Sequence, residues 1–201
     1  MPHPDFLPCA LCALPAVWLR ARRGSAVLLL IGLLSMSSVQ ADEAAAVRAL
    51  ISRGDLSDAI LRADKAIAEQ PRDAALRFLR GVALMDLGRN AEALEVFSLL
   101  TQEHPDLPDP YNNIGLLQAR AGRPEAALAA LQDALRCDPN HRTARANLGQ
   151  VHLMLAVKAW EQLGNSGPVE LAIQRKLDGA RALLVVGAAA APVNPTVMPG
   201  R

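Results

Sequence analysis

The sequence predicts an all-α fold, a solenoid of stacked helical hairpins, because three residue types recur in it at a step of 34 residues. Glycine, alanine and proline each form such a series in the middle of the chain. The three series are Gly54, Gly88, Gly122; Ala59, Ala93, Ala127; and Pro71, Pro105, Pro139. A fixed period of this length is typical of an architecture in which each repeat is one helical hairpin. Such proteins generally work by offering a surface, so we do not expect chemistry within the repeats.

Each residue of the repeat has a physical role that predicts a helix boundary or a contact. Gly88 is expected to end a helix, because glycine readily adopts the left-handed conformation found at helix C-termini. Ala93 is expected where two helices cross, and Phe97 lies four residues later on the same face. Pro105 stops that helix because it lacks the N–H group. The predicted helices are 42–53, 56–69, 74–87, 90–103, 109–121, 124–137, 142–163 and 169–186.

The spacing and the residue types resemble the tetratricopeptide repeat (TPR), a helix-turn-helix unit of 34 residues. The third unit matches it best, through Tyr111, Ile114, Gly115, Ala127, Leu131, Ala134 and Pro139. The resemblance implies a right-handed α-solenoid of TPR hairpins over residues 42–163 with a C-terminal capping helix over 164–187. The implied units are 42–73, 74–107, 108–141 and a partial unit at 142–163. The Ala/Pro-rich tail over 188–201 is predicted to be disordered.

The N-terminus has the pattern of a secretory signal peptide. A basic segment that ends at Arg23 precedes an apolar run over 26–34, and a small-x-small cleavage site ends at Ala41. We therefore predict that residues 1–41 are removed, which places the chain in the bacterial periplasm or outside the cell without a membrane span. The open alternative is an uncleaved signal that anchors the chain in the inner membrane. Residues 1–19 are Pro-rich and apolar; either translation starts after them, or they form a long n-region.

The composition argues against nucleic acid or anionic lipid as a partner. The whole chain has 21 Lys+Arg and 20 Asp+Glu, which gives a formal net charge of +1. Aromatic residues make up 3% of the chain, too few for a base-stacking platform. We therefore expect a protein or peptide partner, in the cell envelope, and no nucleic acid. The sequence leaves the oligomeric state open.

No arrangement of residues is typical of catalysis or metal binding, so we expect no catalytic residue, no cofactor and no metal site. Two histidines four residues apart on one helix would be such a pattern, and the sequence has none. We expect surface or helix-end positions for His104 and His141. Asp106 and Asp109 are interpreted as part of a loop that caps the next helix. Cys137 is expected to be a half-buried hydrophobic residue, and an intermolecular disulfide is the alternative.

The first helix of each unit lines the concave face in the TPR family, so the resemblance implies where a partner binds. Carried over by position, the predicted partner-binding groove consists of Phe78, Val82, Asn112, Asn113, Leu116, Arg120, Asn147 and Gln150. Asparagine offers both donors and an acceptor to an extended peptide. The carboxylate clamp of some family members is not supported, because Phe78 and Val82 stand where its polar set begins.

The predicted function is a non-catalytic periplasmic scaffold or adaptor that binds a peptide or a partner helix in this groove. The alternative is an accessory module of a cell-envelope enzyme or assembly system, with catalysis elsewhere.

Overall fold

The computed structural model of the chain describes residues 43–190, where eight helices follow one another without a strand. The first helix, α1, spans 43–53. The others are α2 Leu56–Glu69, α3 Ala74–Asp86, α4 Asn90–Glu103, α5 Pro108–Arg120, α6 Pro124–Cys137, α7 Arg142–Ser166 and α8 Leu171–Ala190. From α2 to α8, each helix packs against the next one along the chain. This arrangement confirms the predicted all-α solenoid of helical hairpins.

Glycine ends the first helix of each hairpin in the left-handed conformation, as predicted. The φ angles of Gly54, Gly88 and Gly122 are +82°, +83° and +70°. In each turn the residue after the glycine donates its N–H group to a carbonyl in the last helical turn. The bond from Arg89 to Leu84, for example, is 2.8 Å long. This bond satisfies a carbonyl that would otherwise lack a partner, which fixes the turn.

Small residues let the two helices of a hairpin approach closely. The alanines of the repeat are fully buried: Ala59, Ala93 and Ala127. A Cβ atom added to Gly81 would lie 2.7 Å from the ring of Phe97, and one added to Gly115 would lie 2.6 Å from Leu131. Packing, rather than backbone conformation, therefore accounts for glycine at these two positions.

The fourth unit departs from the repeat, because α7 is one continuous helix of 25 residues. Ala156 stands where the earlier units have their turn glycine, so nothing breaks the helix there. The helix ends three residues after the predicted boundary at 163. α8 packs against it through a small apolar cluster of Val157, Leu177 and Ala180. α8 thus covers the apolar side of the last part of α7.

Two predicted segments lie wholly or partly outside the described residues. The predicted signal peptide over 1–41 lies outside them, as does the part of the predicted tail after 190. Within them, α8 continues to Ala190, three residues beyond the predicted end of the capping helix at 187. α8 therefore includes the first three residues of the predicted tail, and the disorder of the tail stays a prediction. The residues concerned are alanines, which have the highest helix propensity.

Candidate functional site

A cluster of polar side chains lies between α5 and α7, the first helices of consecutive units, which contact each other. The α5–α7 polar cluster consists of Asp109, Asn112, Asn113, His141 and Asn147. The first three share one face of α5, because residues three and four apart are neighbours on a helix surface. His141 directly precedes α7, and Asn147 lies in its second turn. Burying a polar group costs free energy unless the group is hydrogen-bonded. The bonds within this cluster therefore show which of its polar groups are satisfied and which are not.

His141 and Asp109 form a buried pair in which each side chain is 6% exposed. The N–H group of Ala144 donates to Nδ1 of His141 at 3.0 Å. Because Nδ1 accepts a bond, the proton of the neutral ring is on Nε2, which donates to Oδ1 of Asp109 at 3.0 Å. Burial raises the pKa of the Asp109 carboxyl, and the bond from His141 partly offsets that effect. One ring therefore caps α7 and holds it against α5.

The amides of the cluster form a chain that ends in an unpartnered donor. Nδ2 of Asn147 donates to Oδ1 of Asn112 at 2.9 Å, and Nδ2 of Asn112 donates to Oδ1 of Asn113 at 3.3 Å. Asn113 is 5% exposed, and its Nδ2 has no hydrogen-bond partner in the described part of the chain. A buried donor left unsatisfied costs about 1–3 kcal/mol. Nδ2 of Asn113 is therefore the unsatisfied donor of the cluster, and because less than 1 Å² of this atom is exposed, a partner can reach it only if the side chain turns outward.

The two apolar residues of the predicted groove are buried in the core. Phe78 is 1% exposed and Val82 is 0% exposed. The ring of Phe78 packs against Phe97, with centroids 5.6 Å apart and planes inclined by 51°. The reason is that α3 lies between α2 and α4 and is buried over most of its circumference. This burial differs from the open groove that the sequence predicted for these two side chains.

The remaining predicted residues have different environments. Leu116 is half-buried and packs against the core, and Gln150 is half-buried one turn after Asn147. Burial raises the pKa of the Asp86 carboxyl at the end of α3, and the charge of Arg120, exposed in the last turn of α5, partly offsets this. The predicted residues that hydrogen bonds join together are Asn112, Asn113 and Asn147.

Sequence reasoning missed the pairing of Asp109 with His141. It placed Asp109 in a loop that caps α5, but Leu107 is the N-cap residue of that helix and makes no side-chain bond to it. It allowed a surface position for His141, which is buried at the start of α7. The signal was the repeat itself: Asp73, Leu107 and His141 are each 34 residues apart. Since Asp73 caps α3 by accepting from the N–H group of Ala75 at 2.8 Å, a polar residue at the third position predicts a cap there too.

Metal-binding and reactive groups are sparse in the part of the chain that the structure describes. Over residues 43–190, no group of three or more His, Cys, Asp or Glu side chains is placed to hold a metal ion. No helix in that range combines the length and the apolar run needed to cross a membrane.

Cys137 is half-buried, as predicted, and its Sγ donates to the carbonyl of Pro105 at 3.2 Å. Burial raises the pKa of this thiol, which disfavours the reactive thiolate.

Comparison with known families gives a match that covers more than half of the chain. A family model described as tetratricopeptide repeat matches residues 44–108 and 112–162. These two ranges include every residue of the α5–α7 polar cluster except Asp109.

Solved structures of TPR proteins share the fold of this chain. The first TPR domain of human RPAP3 is similar with a TM-score of 0.55 and 20% identity, over 58% of this chain and 92% of that one. A thermophilic TPR protein of Thermus thermophilus is similar with a TM-score of 0.54 and 22% identity, over 73% and 81% of the two chains. For a TPR protein of Parabacteroides merdae the values are 0.53 and 16%, over 74% and 60%. The chain therefore belongs to the tetratricopeptide-repeat family, whose members generally mediate protein–protein interactions.

Proposed function

We propose that this chain is a non-catalytic scaffold or adaptor of the bacterial cell envelope that binds a protein or peptide partner at the α5–α7 polar cluster. TPR proteins are generally non-catalytic repeat scaffolds, which supports the class of function.

The placement of the binding site rests on Nδ2 of Asn113, which has no hydrogen-bond partner among residues 43–190. An extended peptide presents backbone carbonyls that accept from such a donor. Asn147 and Gln150 add half-buried amide groups on the neighbouring helix. If the Asn113 side chain turns toward a bound peptide, its unsatisfied Nδ2 gains a hydrogen bond to a backbone carbonyl, and this gain favours binding there.

The envelope location rests on the signal-peptide pattern of residues 1–41. We expect the protein recovered from bacterial cells to have the mass of residues 42–201 and to lie in the periplasmic fraction. A fused reporter enzyme that requires disulfide bonds should be active, because disulfides form in the periplasm and rarely in the cytosol. Recovery of the uncleaved chain from the cytosol would contradict this location.

Affinity capture from an envelope extract tests the scaffold role. Proteins retained by the wild-type chain are identified by mass spectrometry, and each candidate is then purified and tested for direct binding. Asn113→Ala should retain less of the partner than wild type. The matched control is Asn165→Ala, which removes an exposed amide from the last turn of α7 and should retain as much as wild type. Turnover of cell-wall or ester substrates by the isolated chain would overturn the non-catalytic role.

A further inference from the structure

A groove on the first hairpin, between α1 and α2, is separate from the polar cluster. Its volume is about 820 Å³. Its walls are formed by Glu43, Leu50, Asp58, Leu61, Arg62, Lys65, Ala66 and Glu69. The five residues at positions 58, 61, 62, 65 and 69 recur at helical spacing, so they form one face of α2. The buried residues Ala59, Ile60 and Ala63 lie on another side of α2, and the buried Ala66 lies at the edge between the two sides.

An exposed leucine lies in the middle of this α2 face. Leu61 is 70% exposed. The same repeat position holds Glu95 in the second unit and Ala129 in the third, and both of these residues are exposed. The TPR fold therefore does not require a large apolar residue at this position. A single exposed leucine needs no explanation on its own, but this one adjoins the half-buried Leu50 in the same groove.

The charges on the α2 face have a self-complementary arrangement. Arg62 is held by Glu43 of α1 through two bonds of 2.9 and 3.0 Å. Asp58 and Lys65 form no ion pair within 4.0 Å with any residue of the range 43–190, although the charge of Lys65 also helps to lower the pKa of the Glu43 carboxyl. They have opposite charges and stand two helical turns apart. The point midway between them along α2 lies between Leu61 and Arg62.

We propose that this face is the interface of a two-fold dimer in which α2 of a second copy lies antiparallel against α2. In an antiparallel pair about that midpoint, Asp58 of each copy faces Lys65 of the other, and Leu61 of each copy faces Arg62. The aliphatic stem of arginine covers apolar surface well while its charged end stays with Glu43. A two-fold contact brings the same patch of both copies together, and such a patch must be complementary to itself. The paired charges and the central leucine meet that requirement.

This dimer is independent of partner binding at the polar cluster, so each can fail without the other. The full chain is purified from cells that express it. Sedimentation velocity over a hundredfold range of protein concentration then measures the dissociation constant of the dimer. The intact mass of the sample is recorded so that its N-terminus is known. We expect wild type to shift from monomer to dimer within this range. Leu61→Glu should raise the dissociation constant of the dimer at least tenfold. Leu99→Glu, which alters an exposed leucine of α4, should leave it unchanged.

Charge reversal tests the antiparallel register. Asp58→Lys and Lys65→Asp should each weaken self-association at least tenfold, because like charges then face each other twice. A one-to-one mixture of these two variants should restore the dimer, because each lysine of one chain then faces an aspartate of the other. Circular dichroism checks that all variants remain helical. The proposal would be overturned by a wild-type chain that stays monomeric or by a mixture of the two variants that does not associate. It would also be overturned if residues 1–42 or another protein, and not a second copy, occupied the α2 face.

Discussion

Nε2 of His141 donates a hydrogen bond to Oδ1 of Asp109 at 3.0 Å and so links the residue that precedes α7 to the first turn of α5. The other nitrogen of the ring accepts from the N–H group of Ala144 in the first turn of α7. One side chain therefore satisfies a buried carboxyl on α5 and a free N–H group of α7. Removing the His141 side chain therefore leaves both the Asp109 carboxyl and the Ala144 N–H group without this partner.

Replacing His141 by alanine is expected to lower the free energy of unfolding by about 3 kcal/mol. The Asp109 carboxyl remains buried without its donor, and the Ala144 N–H group loses its acceptor. Urea denaturation followed by circular dichroism measures the change.

Two further variants separate the effect of this pair from a general effect of substitution at or near α7. His152→Ala removes an exposed histidine from α7 and should change the free energy of unfolding by less than about 0.5 kcal/mol. Asp109→Asn keeps an oxygen that can accept from Nε2 of His141, so it should cost less than His141→Ala. Equal costs for His141→Ala and His152→Ala would show that the buried pair does not stabilise the fold.

Alanine is expected to have opposite effects at Gly115 and Gly149, although both stand at the same position of the repeat. At Gly115 the new Cβ atom would lie 2.6 Å from Leu131, so overpacking should cost about 1–3 kcal/mol. At Gly149 nothing lies within 4 Å, so the higher helix propensity of alanine should add about 0.5–1 kcal/mol of stability. Thermal unfolding of the two variants checks this. A shift of the same sign in both would contradict the packing that distinguishes the third unit from the fourth.

Asp86→Asn is expected to stabilise the protein at neutral pH and to have little effect in acid. Burial raises the pKa of the Asp86 carboxyl, and Arg120 partly offsets this. The folded protein therefore holds this proton more tightly than the unfolded chain does. The bound proton stabilises the folded state below the ordinary pKa of 3.8. This stabilisation is lost as the pH rises through the raised pKa of the Asp86 carboxyl. Asparagine does not ionise, so the variant avoids this loss.

The urea midpoints of Asp86→Asn and wild type, compared at about pH 3.5 and about pH 7.5, measure this linkage. The variant should gain up to about 1 kcal/mol at the higher pH, since Asp86 is half-buried and ends a helix whose C-terminus disfavours negative charge. Asp178→Asn, at an exposed aspartate of α8, is the control and should show no such change. A gain that is the same at both pH values would count against the burial of the carboxyl as its cause.

The hairpins could be predicted from the sequence because their residues act through short-range rules. Gly88 ends a helix through its own backbone conformation, and Pro105 stops one through its missing N–H group. The helix predicted over 142–163 runs past Ala156, which stands at the position of the turn glycines, and α7 does continue there. These effects need no knowledge of which side chains meet in space. The last turn of α8 was missed because the prediction ended the capping helix at 187 and gave too little weight to the helix propensity of the alanines that follow.

The candidate site could be predicted only in part, because its contacts depend on neighbours that the sequence does not identify. Asn112 and Asn147 were placed in the groove by their repeat positions, and they are hydrogen-bonded at 2.9 Å. Phe78 was placed there by the same rule, but its burial is set by the packing of α3 against Phe97. The pairing of Asp109 with His141 joins the first turn of α5 to the residue that caps α7, 32 positions later, and the pattern of a single helix cannot reveal it.

The dissociation constant of the partner's binding segment, compared between wild type and Asn113→Ala, tests the central claim most directly. The segment is taken from a partner identified by capture and is titrated calorimetrically into each protein. Loss of one hydrogen bond from the buried Nδ2 should weaken binding about tenfold, which corresponds to about 1.4 kcal/mol. Asn165→Ala should bind as wild type does, and all three proteins should have the same helical signal. Equal dissociation constants for all three would contradict the assignment of the partner to the α5–α7 polar cluster.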